Sequence, residues 1–155
     1  MLTDSHTHLY LKDFEDDLNT VIENALNNKV DRFMLPNIDD TTILSLLDLH
    51  KKDPSLFFPM LGLHPCSVKK NFIQKLEKLY NYIDKYPFIG IGEIGIDLYW
   101  DNTFIEEQKE ALAIQINWSK KHNLPIIIHS RNSFNEIYNT SVITSTASNS
   151  LKFEI

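Results

Sequence analysis

Cysteine is almost missing from this chain: Cys66 is the only one among 155 residues. A single thiol excludes an intrachain disulfide and fits a reducing compartment, so a cytoplasmic location is expected. Cys66 itself reads as a small structural residue. Basic residues are outnumbered, 15 Lys and Arg against 21 Asp and Glu, for a net charge of −6. That balance argues against a broad basic patch for nucleic acid or anionic membrane. It does not exclude polyanions where bound divalent ions reverse the local field. No uninterrupted apolar run approaches membrane length, and the N-terminus has neither a charged n-region nor an apolar h-region. No membrane association and no leader are therefore expected. Nothing points to a protein partner. Glycine is scarce as well: there are four, and Gly90, Gly92 and Gly95 crowd into one short stretch.

What is present suits one globular domain with a real core, since 43% of the residues are hydrophobic. Short apolar runs alternate with amphipathic stretches. The runs cover 1–8, 32–38, 56–63, 88–96 and 124–129. Most are nearly continuous in apolar character, as strands buried on both faces of a parallel sheet are. Between them, Phe14, Leu18, Val21, Ile22 and Ala25 keep helical spacing, with Asp13 as the expected N-cap. A shorter helix opens on "DDTT". Phe72, Leu76, Leu79, Tyr80 and Ile83 form a third stripe, and Ile105, Leu112 and Ile116 a fourth. The pattern is β-α five times, with the fifth helix beginning near Asn132. Such units build either an open doubly wound sheet or a (β/α) barrel. A full barrel takes about 250 residues, so this chain falls well short of one. From Asn139 to Ser150, nine of twelve residues are Ser, Thr or Asn, which disfavour a helix interior. The expectation is a folded unit over 1–139 and an irregular, flexible tail over 140–155.

Four side chains carry the chemistry. In "TDSHTHLY", His6 and His8 are two apart, so they share a face only if the stretch is extended. They are either a metal-binding strand end or two ordinary histidines in a polar segment. Glu93 lies inside the apolar "FIGIGEIGI", where a carboxylate needs an ion-pair partner or a cation. The glycines around it mark a close approach, often of a ligand. His129 ends the aliphatic "LPIIIH"; alone it would read as a satisfied core histidine. Together the four fall at the C-terminal ends of the expected strands, the edge where sites in α/β folds lie. Three imidazoles and a carboxylate are the donor set of a hydrolytic metal site, and a carboxylate can bridge two metals. His64 in "GLHP" either contacts substrate or caps a turn before Pro65. Arg131 either binds phosphate or makes a surface ion pair. Asp4 either orients a histidine or caps the strand end. Asp97, Tyr99 and Trp100 belong to a loop that stacks substrate or packs under a barrel rim. His50 and His122 are expected in solvent.

The segments "DSHTHL", "GLHP", "GEIGIDLYW" and "QKEALAIQINWSKKHNLPIIIHSR", in this order and spacing, resemble successive signatures of the TatD family of metal-dependent deoxyribonucleases, amidohydrolase-like TIM-barrel enzymes. The resemblance runs from residue 1 to about 139. With the βα pattern it implies an α/β fold, an incomplete (β/α) TIM-type barrel of about five βα units. It implies a phosphodiesterase acting on DNA, with two divalent ions, Zn²⁺, Mn²⁺ or Mg²⁺, as cofactors. It implies that His6 and His8 bind one metal, that Glu93 bridges both and that His129 binds the second. His64 and Arg131 are the substrate-binding candidates. Family members continue through further βα units that supply another metal-binding histidine and then an aspartate in a "TD[SA]P"-like segment. That aspartate is the expected partner of the nucleophilic water. Neither segment occurs here, so no catalytic base can be named. The expectation is the N-terminal part of such an enzyme, departing from the family after Asn139. A related metallohydrolase acting on an ester or amide, and a non-catalytic remnant, remain open alternatives.

Overall fold

The computed structural model describes residues 2–146. Five strands form one sheet: β1 (Leu2–Asp4), β2 (Val30–Pro36), β3 (Phe57–Leu61), β4 (Gly90–Asp97) and β5 (Ile126–Arg131). Neighbours pair in parallel, in the order β1-β2-β3-β4-β5. This order decides between the two architectures. A doubly wound sheet must reverse its strand order, whereas unidirectional right-handed crossovers put every helix on one face. The sheet is a curled half-barrel with α1 (Leu18–Asn27), α2 (Ile43–Lys52), α3 (Phe72–Tyr80), α4 (Ile105–His122) and α5 (Phe134–Thr146). Among the described residues no helix is long and apolar enough to cross a membrane.

The core lies between sheet and helices. Leu46, Leu47, Leu79, Leu112 and Ile116 meet Leu35, Leu61, Ile91, Ile94 and Ile96, all of them 0–1% exposed. Every residue of β4 is buried, as its continuous apolar run demands. β5 departs from the same expectation. Ile126, Ile127 and Ile128 are only half-buried because β5 is the edge of the sheet.

Other local expectations fail for identifiable reasons. Asp13 caps nothing; it sits in a 3-10 turn (Lys12–Phe14), and α1 starts after Asp17. His6 and His8 lie beyond β1, so strand alternation does not bring them together. His50 is not in solvent: it is buried, with Nδ1 2.7 Å from the Phe57 carbonyl. His122 is also partly buried, between Tyr80 and Asp84. The Ser/Thr-rich stretch stays helical through Thr146, so residues 140–146 are not irregular. Thr140 and Thr144 donate their hydroxyls to the carbonyls of Glu136 and Thr140 at 2.8 and 2.6 Å, absorbing the polar groups that compete with a helix. Ile137, Ser141 and Thr144 are buried, and α5 packs against α4. The rest of the expected tail lies outside the described residues.

Candidate metal centre

The C-terminal ends of the strands gather four histidines around one carboxylate. Glu93 Oε2 lies 3.0 Å from His6 Nε2 and 3.8 Å from His8 Nε2. Its Oε1 lies 3.0 Å from His129 Nδ1 and 3.7 Å from His64 Nε2. Two groups with metal-ligand spacing result, His6–His8–Glu93 and His64–Glu93–His129, and Glu93 belongs to both. The sequence-derived quartet is therefore brought together, and His64 joins it. Glu93 is 7% exposed, in an irregular part of β4 where the register with β5 shifts between Ile91 and Ile94.

The hydrogen bonds assign the ring nitrogens. His8 Nδ1 lies 3.1 Å from the Pro36 carbonyl, which can only accept, so Nδ1 carries the proton. The Nε2 lone pair of neutral His8 then faces Glu93 Oε2, acceptor against acceptor, an arrangement that a cation between them satisfies. His129 Nε2 lies 2.8 Å from Asp97 Oδ2 and donates to it, which leaves Nδ1 toward Glu93. His64 differs: its Nδ1 accepts from the Cys66 amide at 3.1 Å. Neutral His64 therefore carries its proton on Nε2, inside the cluster, as a donor rather than a ligand.

Titration follows the same division. Burial pulls His64 down to about 4, against the attraction of Glu93. Burial and the neighbouring His6 also lower His8. Both are neutral at pH 7. His129 moves the other way, raised by its hydrogen bond to Glu93 and held there, against burial, by Asp97. Burial opposes ionisation of Glu93, but its hydrogen bond with His129 keeps its carboxyl below the usual range. The Cys66 thiol, 3.6 Å from Asp97, is pushed up to about 11 by burial and that carboxylate, so it stays protonated.

Residues that the sequence did not single out hold this geometry. Asn37, fully buried, donates its backbone N–H to the Gly92 carbonyl at 3.0 Å and accepts from Glu93 N at 3.2 Å. On α4, Gln115 accepts from Leu63 N at 2.7 Å and Gln108 from Asp97 N at 2.8 Å. These two glutamines, a heptad apart around Leu112, hold the backbone just before His64 and at Asp97. Tyr10 hydrogen-bonds the Pro36 carbonyl at 2.5 Å beside His8. Asp4 takes the capping role: its Oδ1 accepts from the His6 backbone N–H at 3.2 Å. Arg131 is exposed, its guanidinium 3.9 Å from the Tyr99 ring centre and 5.1 Å from that of Trp100.

Asp97 is 1% exposed and clamps His129. A carboxylate behind a ligating imidazole typically contributes 10–100-fold in metal affinity. Asp97→Asn is accordingly expected to weaken Zn²⁺ or Mn²⁺ binding by roughly 10–100-fold, read by isothermal calorimetry. Unchanged affinity would show that the His129 orientation does not depend on this contact.

The fold is an α/β half-barrel with a histidine–carboxylate cluster at the C-terminal edge of its sheet. The family model of TatD related DNases matches residues 3–150, and the chain belongs to that family. The match continues past Asn139. The chain is 31% identical to the uncharacterized metal-dependent hydrolase YabD of Bacillus subtilis, over 88% of its own length and 53% of that protein's. It is 29% identical to human deoxyribonuclease TATDN3, over 85% of its length and 53% of the relative's. The crystal structure of YjjV, a TatD homolog from Escherichia coli, superposes with a TM-score of 0.85 at 26% identity, covering 93% of this chain and 56% of that one. The chain thus spans about half the length of the relatives it matches.

Proposed function

We propose that this chain binds divalent metal through His6, His8, Glu93 and His129 and hydrolyses phosphodiester bonds in DNA. The observation that carries the reading is Glu93, whose two oxygens each face a separate pair of imidazoles. Deoxyribonuclease as the name of the human relative, and the description of the family model, support DNA as substrate. His6 and His8 would hold one ion and His129 a second, with Glu93 available to both. Zn²⁺, Mn²⁺ and Mg²⁺ all accept this mixed donor set. Bound there, such ions supply Lewis-acid stabilisation of the charge on an attacked phosphoryl group.

The chain's own residues do the positioning. Asp97 keeps the His129 proton on Nε2. His64, neutral at pH 7, offers its Nε2–H to a phosphoryl oxygen. The guanidinium edge of Arg131 offers in-plane donors to a phosphate while its face rests on Tyr99.

The test is cleavage of end-labelled DNA by the 155-residue chain with Mn²⁺, Mg²⁺ or Zn²⁺. Cleavage is expected to need the metal, to stop with chelator, and to fall at least about 100-fold in a His6→Ala, His8→Ala variant, a larger loss than outer-partner substitutions cause. Cleavage that survives chelator, or no cleavage by a metal-loaded chain, would overturn the reading.

A further inference from the structure

We propose that this chain pairs head-to-tail with a second copy of itself, β5 of each meeting β1 of the other, to close a ring of ten parallel strands, five from each copy. The inference goes beyond the phosphodiesterase reading and does not depend on it. Among the described residues β1 and β5 each have one neighbour, so each leaves a strand edge open. Open edges invite pairing unless proline, lysine or a bulge blunts them. The Ile126–Arg131 run holds neither proline nor lysine, and its three isoleucines are only half-buried. Leu2 on β1 is 58% exposed.

The end helices show the same deficit. Each of α2, α3 and α4 buries three or more apolar side chains. α1 buries none fully, although Leu18, Val21, Ile22 and Ala25 keep helical spacing, and Leu26 beside them is 41% exposed. On α5, Phe134 and Tyr138 share a face one turn apart, their rings stacked with centres 6.4 Å apart, yet they are 75% and 60% exposed. In a βα array each helix packs over its own strand and the next. α5 therefore lacks a following strand and α1 a preceding helix, and one second copy supplies both. Charge selects the orientation. Residues 2–32, at the β1 edge, carry seven acidic against three basic side chains; residues 120–146, at the β5 edge, carry three basic against one acidic. Like edge against like would set acid against acid, whereas head-to-tail pairing joins opposite signs. A head-to-tail contact grows into a filament unless its rotation closes. Two curled half-barrels close, and closure leaves no free edge.

Sedimentation equilibrium of the 155-residue chain is expected to give twice the 18.1 kDa chain mass at micromolar concentration. Two double variants then test the seam. Phe134→Glu with Tyr138→Glu charges the β5 side, and Leu2→Glu with Leu26→Glu charges the β1 side. All four positions are exposed, so the monomer keeps its core, which thermal unfolding checks. Phe134→Ser with Tyr138→Ser repeats the first test without added charge. Each glutamate variant alone is expected to dimerise about 100-fold more weakly, the loss that follows from removing central anchors. Mixed in equal amounts, the two are expected to recover part of the dimer, because the intact β5 side of one fits the intact β1 side of the other. In a like-to-like dimer one of the variants would associate as the parent does, and that result would overturn the head-to-tail seam. A parent that stays at the chain mass leaves the edges to another occupant and overturns the second copy. A mass that climbs past twice the chain with concentration overturns the closed ring.

Discussion

Glu93→Gln is expected to abolish metal-induced stabilisation of this protein. The amide keeps the shape of the side chain but removes the charge that both imidazole pairs face. A ligand present at about 100 times its dissociation constant stabilises the native state by about 2.7 kcal/mol. For a chain of this size that is a rise in Tm of roughly 5–10 °C with Zn²⁺ or Mn²⁺. The variant should show none of it, with affinity reduced more than about 100-fold, beyond the loss from an outer partner. Differential scanning fluorimetry across a metal titration reads the effect. An undiminished shift would place the ions elsewhere. The pH dependence of the unaltered protein gives the sign of the coupling. His129 titrates above its ordinary value of 6.5, so its proton is the first that a metal must displace. Metal affinity should therefore fall as pH drops through that raised value. His8, lowered by burial and by His6, competes only at lower pH. In the metal-free protein the contributions to stability oppose each other. That of His129 is full below 6.5 and fades as pH rises through its folded value. The neutral burial of His64 costs stability as pH falls from 6.5 toward about 4.

The parts legible in the sequence are those with a local signature. The apolar runs locate β2 to β5, and helical spacing locates α3 and α4, because strand and helix burial repeats every few residues. Glu93 is legible because a carboxylate in an aliphatic run calls for either an ion-pair partner or a cation. The supports are not legible. Asn37, Gln108 and Gln115 look like ordinary surface amides in a linear reading, yet they are 0–3% exposed and bonded to backbone groups of other elements. The Asp97–His129 clamp joins residues on two strands, and nothing in "GID" announces it. His50 fails the same way: its lysine neighbours suggest solvent, while the Phe57 carbonyl it meets lies across a turn. Polar burial is decided by a distant partner, and a single sequence records the partner without the pairing.

Gly95→Ala should be the most damaging single methyl in the molecule. The three glycines of β4 suggest a close approach, and the approaching group at Gly95 is the chain's own backbone. Gly95 pairs with His129 across β4 and β5 and has φ +148°, a region closed to alanine without strain. A Cβ there would lie 1.9 Å from the His129 carbonyl oxygen, and 2.9 and 3.0 Å from that residue's carbonyl carbon and nitrogen. None of these atoms is the end of a flexible side chain, so β5 must move. The expected cost exceeds about 4 kcal/mol, within the small group of mutations whose damage has one identifiable cause. Against a total stability of about 5–15 kcal/mol, most of the protein should lose its cooperative urea transition. Gly90→Ala is the control. Its Cβ would meet mainly the tip of Ile127, at 2.9 Å, which can rotate aside, so that variant should fold. The comparison separates backbone conflict from mere crowding. If Gly95→Ala unfolds at the same urea midpoint as the parent, the β4–β5 register that carries His129 to Glu93 is wrong, and the metal centre loses its frame. If it fails while Gly90→Ala folds and still binds metal, one glycine sets both the closeness of the strands and the reach of His129 into the site.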